Sequence, residues 1–433
     1  MTPQSNFMVL SAVNPECEVE LRRLLASMND APGRLNADNA LIPFRKFDTL
    51  HFARFVILDD KTLDDTRVYG EPARTYPLYL AFLGDVDGEV SAFFGELARV
   101  AGDGLRSIFS CCTGFTAYTD LVGWMTRQST PAIAAYVNWP SRTVRRVREE
   151  SALREALGAY IESNAVALRN MSPRAIHTTL KTLIRTRISE GELTLSAENP
   201  TPIRSWVSNL LHRIGAPLLV LLASPLLILV APIILVSLRR LEKTDAELCW
   251  RVDQTHSDGL AMLEDHDISN QFTAMGSLKP GFVRLVTLIG VLGTVNYAAR
   301  HIARPGRLGR IRTIHFARWV FLDGRKRMVF FSNYDGTVES YMDDFINKAG
   351  FGLNAVFSNG IGYPRTNWLV RDGCRDEQKY KEFLRRHTLP TQAWYKAYPG
   401  LTAVDLERNG RIRQGLESSA MSEQEIREWL ALL

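Results

Sequence analysis

The stretch TLHFARFVILD at residues 49–59 returns as TIHFARWVFLD at 313–323, identical at eight of eleven positions without a gap, at an offset of 264. A repeat at fixed offset reports a duplicated module, and it has to be found before any element is assigned. Two more blocks keep the same order. GDGLRSIFSCCTGF at 102–115 aligns with GFGLNAVFSNGIGY at 350–363 at an offset of 248, which brings Asp87-Gly88 onto Asp335-Gly336. PAIAAYVNWPSRT at 131–143 aligns with PTQAWYKAYPGLT at 390–402 at an offset of 259. The changing offset places 16 extra residues in the first copy, between 60 and 76, and 11 in the second, between 363 and 390.

Around these anchors each copy reads as strand, helix, two strands, helix and strand. In the first copy the strands are NFMVLSAV (6–13), TLHFARFVIL, PLYLAFLG and LRSIFSCC (105–112), with helices over CEVELRRLLASMN and EVSAFFGELARVAG. In the second they are QFTAMGSL, TIHFARWVFL, RMVFFSNY and LNAVFSN (353–359), with helices over 282–303 and TVESYMDDFINKAG. Apolar spacing of i, i+3/i+4 in the helices and Val, Ile, Phe and Tyr in the strands support the assignment. This is the βαββαβ, ferredoxin-like order. The fold class expected is α+β: two ferredoxin-like modules packed as a pseudo-dimeric α+β barrel, extended by a strand and helix near 131–158 and 391–431. The modules occupy 1–160 and 261–433, joined by a helical linker at 161–260.

Inside the linker, IGAPLLVLLASPLLILVAPIILVSL (214–238) runs 25 residues without a charge, enough to cross a ~30 Å hydrocarbon core as a helix. Pro217, Pro225 and Pro232 interrupt it, and basic residues flank both ends, so charge gives no orientation. If both copies build one barrel they share a compartment, which a full crossing forbids. An in-plane or re-entrant anchor on one leaflet is therefore expected, with the lipid bilayer as partner. A buried core helix is the competing assignment. The stretch LVTLIGVLGTV (285–295) is expected to pack in the core, with a position against the same membrane as the alternative.

The 433 residues, 46% apolar and 23% charged, are a globular mixture that excludes wholesale disorder. The basic residues, 52 against 47 acidic, are dispersed apart from RTVRRVR at 142–148, so no nucleic-acid partner is expected. The cysteines at 17, 111, 112, 249 and 374 form no CxxC pair, and the start MTPQSNF lacks signal-peptide character. A reducing environment without disulfides, on the cytoplasmic face of the inner membrane, peripheral or monotopic, is the expectation, with room for a homo-oligomer.

His51 and His315 occupy matching positions, each three residues before an arginine, Arg54 and Arg318. On a regular strand i and i+3 face opposite ways, so His and Arg of one copy should not share a site. Either both pairs serve structure, or His315 is a metal or haem ligand or a proton shuttle and Arg318 stabilises an anion or peroxide. FFSNYDGT sets Asn333, Tyr334 and Asp335 at a strand-to-helix turn, where Asp335 is either a helix cap or a proton carrier. The longer loop of the second copy supplies Arg365. LEDHDISNQF clusters Glu264, Asp265, His266 and Asp267, but adjacent residues do not converge on a metal. There is no GxGxxG, P-loop, GxSxG or HExxH.

From NQFTAMGSLKPGF through TIHFARWVFLDG, FFSNYDGTVESYMDDF, GYPRTNWL and WYKAYPGLT, residues 260–416 resemble a widespread bacterial membrane-associated family, which supplies no reaction. At fold level the doubled module is similar to the dye-decolourising peroxidase and chlorite dismutase superfamily. Asp335-Gly336-Thr337 is similar to the end of that family's GxxDGT motif, whose Asp transfers protons on the distal side, although Ser332-Asn333-Tyr334 stands where the motif begins. The resemblance implies haem b, held by His315 or else His387 or His301. Together with the residue readings above, the reacting centre is expected to hold Asp335, Arg318, Arg365, Asn333 and Tyr334, and with the apolar linker the function expected is a membrane-bound redox enzyme acting on a lipid or other hydrophobic small molecule. The alternatives are a non-catalytic lipid-binding barrel and a cofactor-free barrel enzyme.

Overall fold

The computed structural model describes residues 2–433 except 249–250, 304 and 419. Eight strands carry the architecture: β1 (Gln4–Ala12), β2 (Leu50–Leu58), β3 (Tyr79–Asp87), β4 (Ala134–Val137), β5 (Ser269–Ser277), β6 (Ile314–Leu322), β7 (Arg327–Asp335) and β8 (Thr391–Lys396). They form two four-stranded antiparallel sheets, in the orders β1-β3-β2-β8 and β4-β6-β7-β5. Each sheet thus takes three strands from one half of the chain and its fourth from the other. The chain hydrogen-bonds beside β1 at Gln128–Thr130, then continues into β4 at the edge of the second sheet. Likewise Leu389 bonds to Thr273 on β5 before β8 joins the first sheet.

Helices α1 (Glu18–Ala26), α2 (Val90–Phe109) and α3 (Val144–Ser163) belong to the first half, and α4 (Ile203–Thr244) lies between the halves. The second half carries α5 (Phe282–His301), α6 (Val338–Phe357), α7 (Glu377–His387) and α8 (Ala403–Glu417). Both faces of the first sheet are buried. Phe7, Val9, Phe55, Ile57 and Phe82 pack with Leu21, Leu25, Phe94 and Leu97 of α1 and α2. Met8, Val56, Leu58, Ala81 and Leu83 meet Met275, Val320, Leu322, Val329 and Phe331 of the second sheet. Double burial explains why β2 reads as a nearly continuous apolar run rather than an alternating one.

Two expectations change. The segments 105–112 and 353–359 are not strands: α2 and α6 run through to Phe109 and Phe357. Phe94, Leu97, Ala101, Leu105 and Ile108 keep one helical face buried past Ala101, where the backbone leaves helical geometry for one residue. The ladders also form two separate sheets and not a closed barrel. The described cysteines, at 17, 111, 112 and 374, are free; Cys249 lies outside the described residues.

Among the described residues two helices are long and apolar enough to cross a membrane, α4 with 42 residues and α5 with 20. At 1.5 Å per residue α4 is about 63 Å long. It stays helical through Pro217, Pro225 and Pro232. Pro217 leaves the Arg213 carbonyl without its helical donor, and the Tyr297 hydroxyl of α5 donates to it at 3.0 Å. Leu222, Ile228 and Leu229 are about 70% exposed. Both ends of α4 are nevertheless held. Near its start Asn209 accepts from Arg300 at 2.8 Å, and His212 meets His301 at 2.7 Å. Near its end the fully buried Glu242 accepts from Thr366 and from the backbone N–H groups of Trp368 and Leu369. In α5 only Arg284, Leu288 and Leu292 are buried, so this helix packs one stripe on the core and leaves much of its surface open.

Candidate functional site

The register slips between Leu50 and Phe52 in β2 and between Ile314 and Phe316 in β6. Such a bulge adds a residue and resets the alternation of side chains. Consequently His51 and Arg54 do not face opposite ways: the His51 ring lies 5.5 Å from Phe316, and Arg54 reaches backbone of the second sheet. His315 and Arg318 mirror them, His315 lying 5.3 Å from Phe52.

Between the sheets the two arginines cross. Arg54 donates to the Phe272 carbonyl at 3.0 Å, the Ser332 carbonyl at 2.9 Å and the Asn333 side-chain oxygen. Arg318 donates to the Phe7 carbonyl at 2.8 Å, the Gly84 carbonyl at 3.1 Å and the Asp85 carboxylate. Asp85 and Asn333 are equivalent at the 248 offset, so two buried guanidinium groups share one carboxylate. Burial, then the like charge of Arg318, pulls the Arg54 guanidinium below its ordinary pKa, and burial pushes the Asp85 carboxyl up. Phe331 and Trp394 flank Arg54 at 5.6 and 5.2 Å from ring centre to guanidinium carbon, favourable faces for a desolvated cation.

The histidines close a second matched pair. His51 Nε2 is 3.0 Å from Asp87 Oδ1, and Asp87 Oδ2 accepts the Val144 N–H that opens α3. His315 Nε2 is 2.7 Å from Asp335 Oδ1, which also accepts from Ser269 Oγ at 2.7 Å, and Asp335 Oδ2 accepts the Ala403 N–H that opens α8 at 2.7 Å. Each carboxylate ties a strand end to a helix N-terminus, where the helix dipole favours negative charge. His315 is 1% exposed and Asp335 7%. Both Asp335 oxygens are taken, so the arrangement positions helices and offers no open face to a substrate.

The other expected residues scatter. Tyr334 stacks on Tyr341 at 4.0 Å, fully buried, its hydroxyl unpartnered and its pKa driven far up by burial. Arg365 is exposed and donates to the Asp245 carbonyl at 2.6 Å. His387, at the end of α7, bonds to the Phe383 carbonyl at 2.8 Å and packs against Gly276, and burial lowers its pKa. His301 pairs with His212.

His315 and Asp335 do not fit haem in the expected roles. An axial His315 and a distal Asp335 must lie on opposite sides of a porphyrin, yet their side chains touch at 2.7 Å. Among the described residues no three His, Cys, Asp or Glu side chains gather as a metal site. Sequence reasoning passed over Asp85, Glu242 and Asp245, lone carboxylates whose partners lie far away in the chain. Asp85 alone carried a signal, as the acidic counterpart of Asn333. No protein-family model matches the chain, and neither a curated protein nor a solved structure matches it.

Proposed function

We propose that the chain is a pair of ferredoxin-like modules with exchanged strands that sits on one face of a lipid bilayer and binds lipid, with α4 as its monotopic anchor. The observation that carries this reading is an exposed apolar helix whose two ends are fastened to the same folded body. A single crossing by α4 would separate strands that pair: β4 precedes it and bonds to β6 after it, and β8 follows it and bonds to β2 before it. A crossing by α5 would likewise part β5 from β6, which both pair with β7. Trp206 and Phe282, 56% and 80% exposed, supply aromatic side chains suited to the interfacial layer. Arg204, Arg213, Arg239, Arg240 and Lys243 flank the apolar run and suit anionic headgroups.

The buried His-Asp and Arg pairs hold the scaffold in this reading and carry no reaction. Flotation of the full-length protein with phosphatidylcholine vesicles tests it. Wild type is expected to float, and Leu222→Glu with Leu229→Glu, which set two charges on the apolar surface that α4 offers to lipid, to remain at the bottom with an unchanged circular dichroism spectrum. Wild type that stays at the bottom, or a double variant that floats equally well, overturns the reading.

A further inference from the structure

Helix α5 begins without a side-chain cap: Gly281 holds the N-cap position at φ 112°, and no side chain accepts from the first turn. Pro280, Gly281 and Phe282 line a cavity of about 330 Å³, within the range of small-molecule sites. Its cationic walls are Arg74, Lys279, Arg284, Arg325 and Lys326, against Glu71, which is paired with Arg74 at 2.8 Å. Arg325 and Lys326 are exposed and form no ion pair among the described residues. Lys279 and Arg284 are 5% and 2% exposed and share a single carboxylate oxygen, Asp245 Oδ2, at 2.7 and 2.6 Å. The second nitrogen of Arg284, Nη1, is buried with no partner.

One carboxylate for two buried cations leaves positive charge uncompensated, and a buried guanidinium nitrogen without an acceptor is costly. An anion between the free N–H groups of the first turn and Arg284 answers both. Leu285, Leu288 and Ile361 supply apolar wall beside it. We propose that this cavity binds a phosphate group, held by Arg284, Lys279 and the open N-terminus of α5. With the membrane reading, on which this source rests, the phosphate is that of a lipid headgroup whose chain follows the apolar wall.

Two measurements separate the sources: calorimetric titration of the detergent-purified full chain with inorganic phosphate, and flotation on phosphatidylcholine vesicles with and without phosphatidylglycerol. Arg284→Lys keeps the charge and loses the guanidinium fork, and Arg325→Gln with Lys326→Gln leaves the buried pair intact. Each is expected to weaken phosphate-dependent binding roughly tenfold. Arg99→Gln with Arg127→Gln, exposed positions that do not line the cavity, removes the same charge as the Arg325 and Lys326 pair and is expected to change nothing. A variant-sensitive preference for phosphatidylglycerol identifies the headgroup, and a variant-sensitive response to inorganic phosphate alone identifies a soluble phosphate compound; both uphold the site. Equal binding by wild type and both cavity variants in both assays overturns it. Phosphate binding without any vesicle binding overturns the membrane reading and leaves the site standing.

Discussion

Asp85 and Asn333 stand at equivalent places under two arginines, and the difference of one atom type predicts how each tolerates change. Asp85→Ala strips Arg318 of its buried counter-charge and is expected to cost about 3–5 kcal/mol. Asp85→Asn reproduces the contact that Asn333 already makes with Arg54, and urea unfolding should place it well above the alanine variant. Lys279 gives a pH dependence. Burial lowers its pKa from 10.5 to about 8, against the attraction of Asp245 and Glu242 and with the repulsion of Arg284; Tyr69 contacts the same Asp245. The unfolded chain therefore holds more protons between about pH 8 and 10.5, so this group's penalty is fully present below pH 8 and is relieved as pH rises. Unfolding free energy of wild type relative to Lys279→Met should climb by roughly 3 kcal/mol across that window, whereas a flat difference would mean that Lys279 titrates normally. Phosphate binding should weaken over the same rise.

The clearest test among the elements is the end of α4. Trp368 and Leu369 adopt φ of 54° and 67°, and their adjacent N–H groups close on the Glu242 carboxylate at 2.9 and 2.6 Å. Glu242→Ala leaves both donors empty in a left-handed turn, and a loss of about 3 kcal/mol is expected, with faster tryptic cleavage after Lys243. Cleavage at the wild-type rate would mean that other contacts hold this end. Element identity was largely legible in the sequence, because β2 and β6 are written in residues that suit doubly buried strands, and α1, α2 and α6 carry apolar spacing. The continuation of α2 was misread because GDG and the Ser-Cys-Cys run suggest a break, while burial of Leu105 and Ile108 continues the helix. The shared face of His51 and Arg54 was hidden by a bulge that no residue type announces. The cavity at α5 was illegible because its walls come from four distant segments, 66–76, 277–288, 324–326 and 359–361. A basic residue before Pro280-Gly281 and an uncapped apolar helix was the one local hint.

Across the molecule, the pairing of β4 with β6 and β8 with β2 fixes both halves on one side of any membrane that α4 enters. Single cysteines introduced at Lys61 and Lys348, one in each half, should react alike with an impermeant thiol reagent in sealed vesicles. Opposite accessibility would break the model of two joined sheets. The two-fold repetition of contacts also limits what a single-site chemistry can use, since His51 and His315 each meet the carboxylate at the matching strand end, and Arg54 and Arg318 each cross to the opposite sheet.

The exchanged strands set an order of synthesis. While the first half leaves the ribosome, β2 has no neighbour on its outer edge until β8 is made more than 330 residues later, and an open apolar edge is a template for association with other chains. Helix α4 emerges during that interval, so contact with lipid would hold the nascent chain at a surface before its sheet is complete. Separately expressed halves divided near residue 200 should accordingly aggregate alone and recover a folded, detergent-extractable complex when co-expressed, each lending the other its last strand.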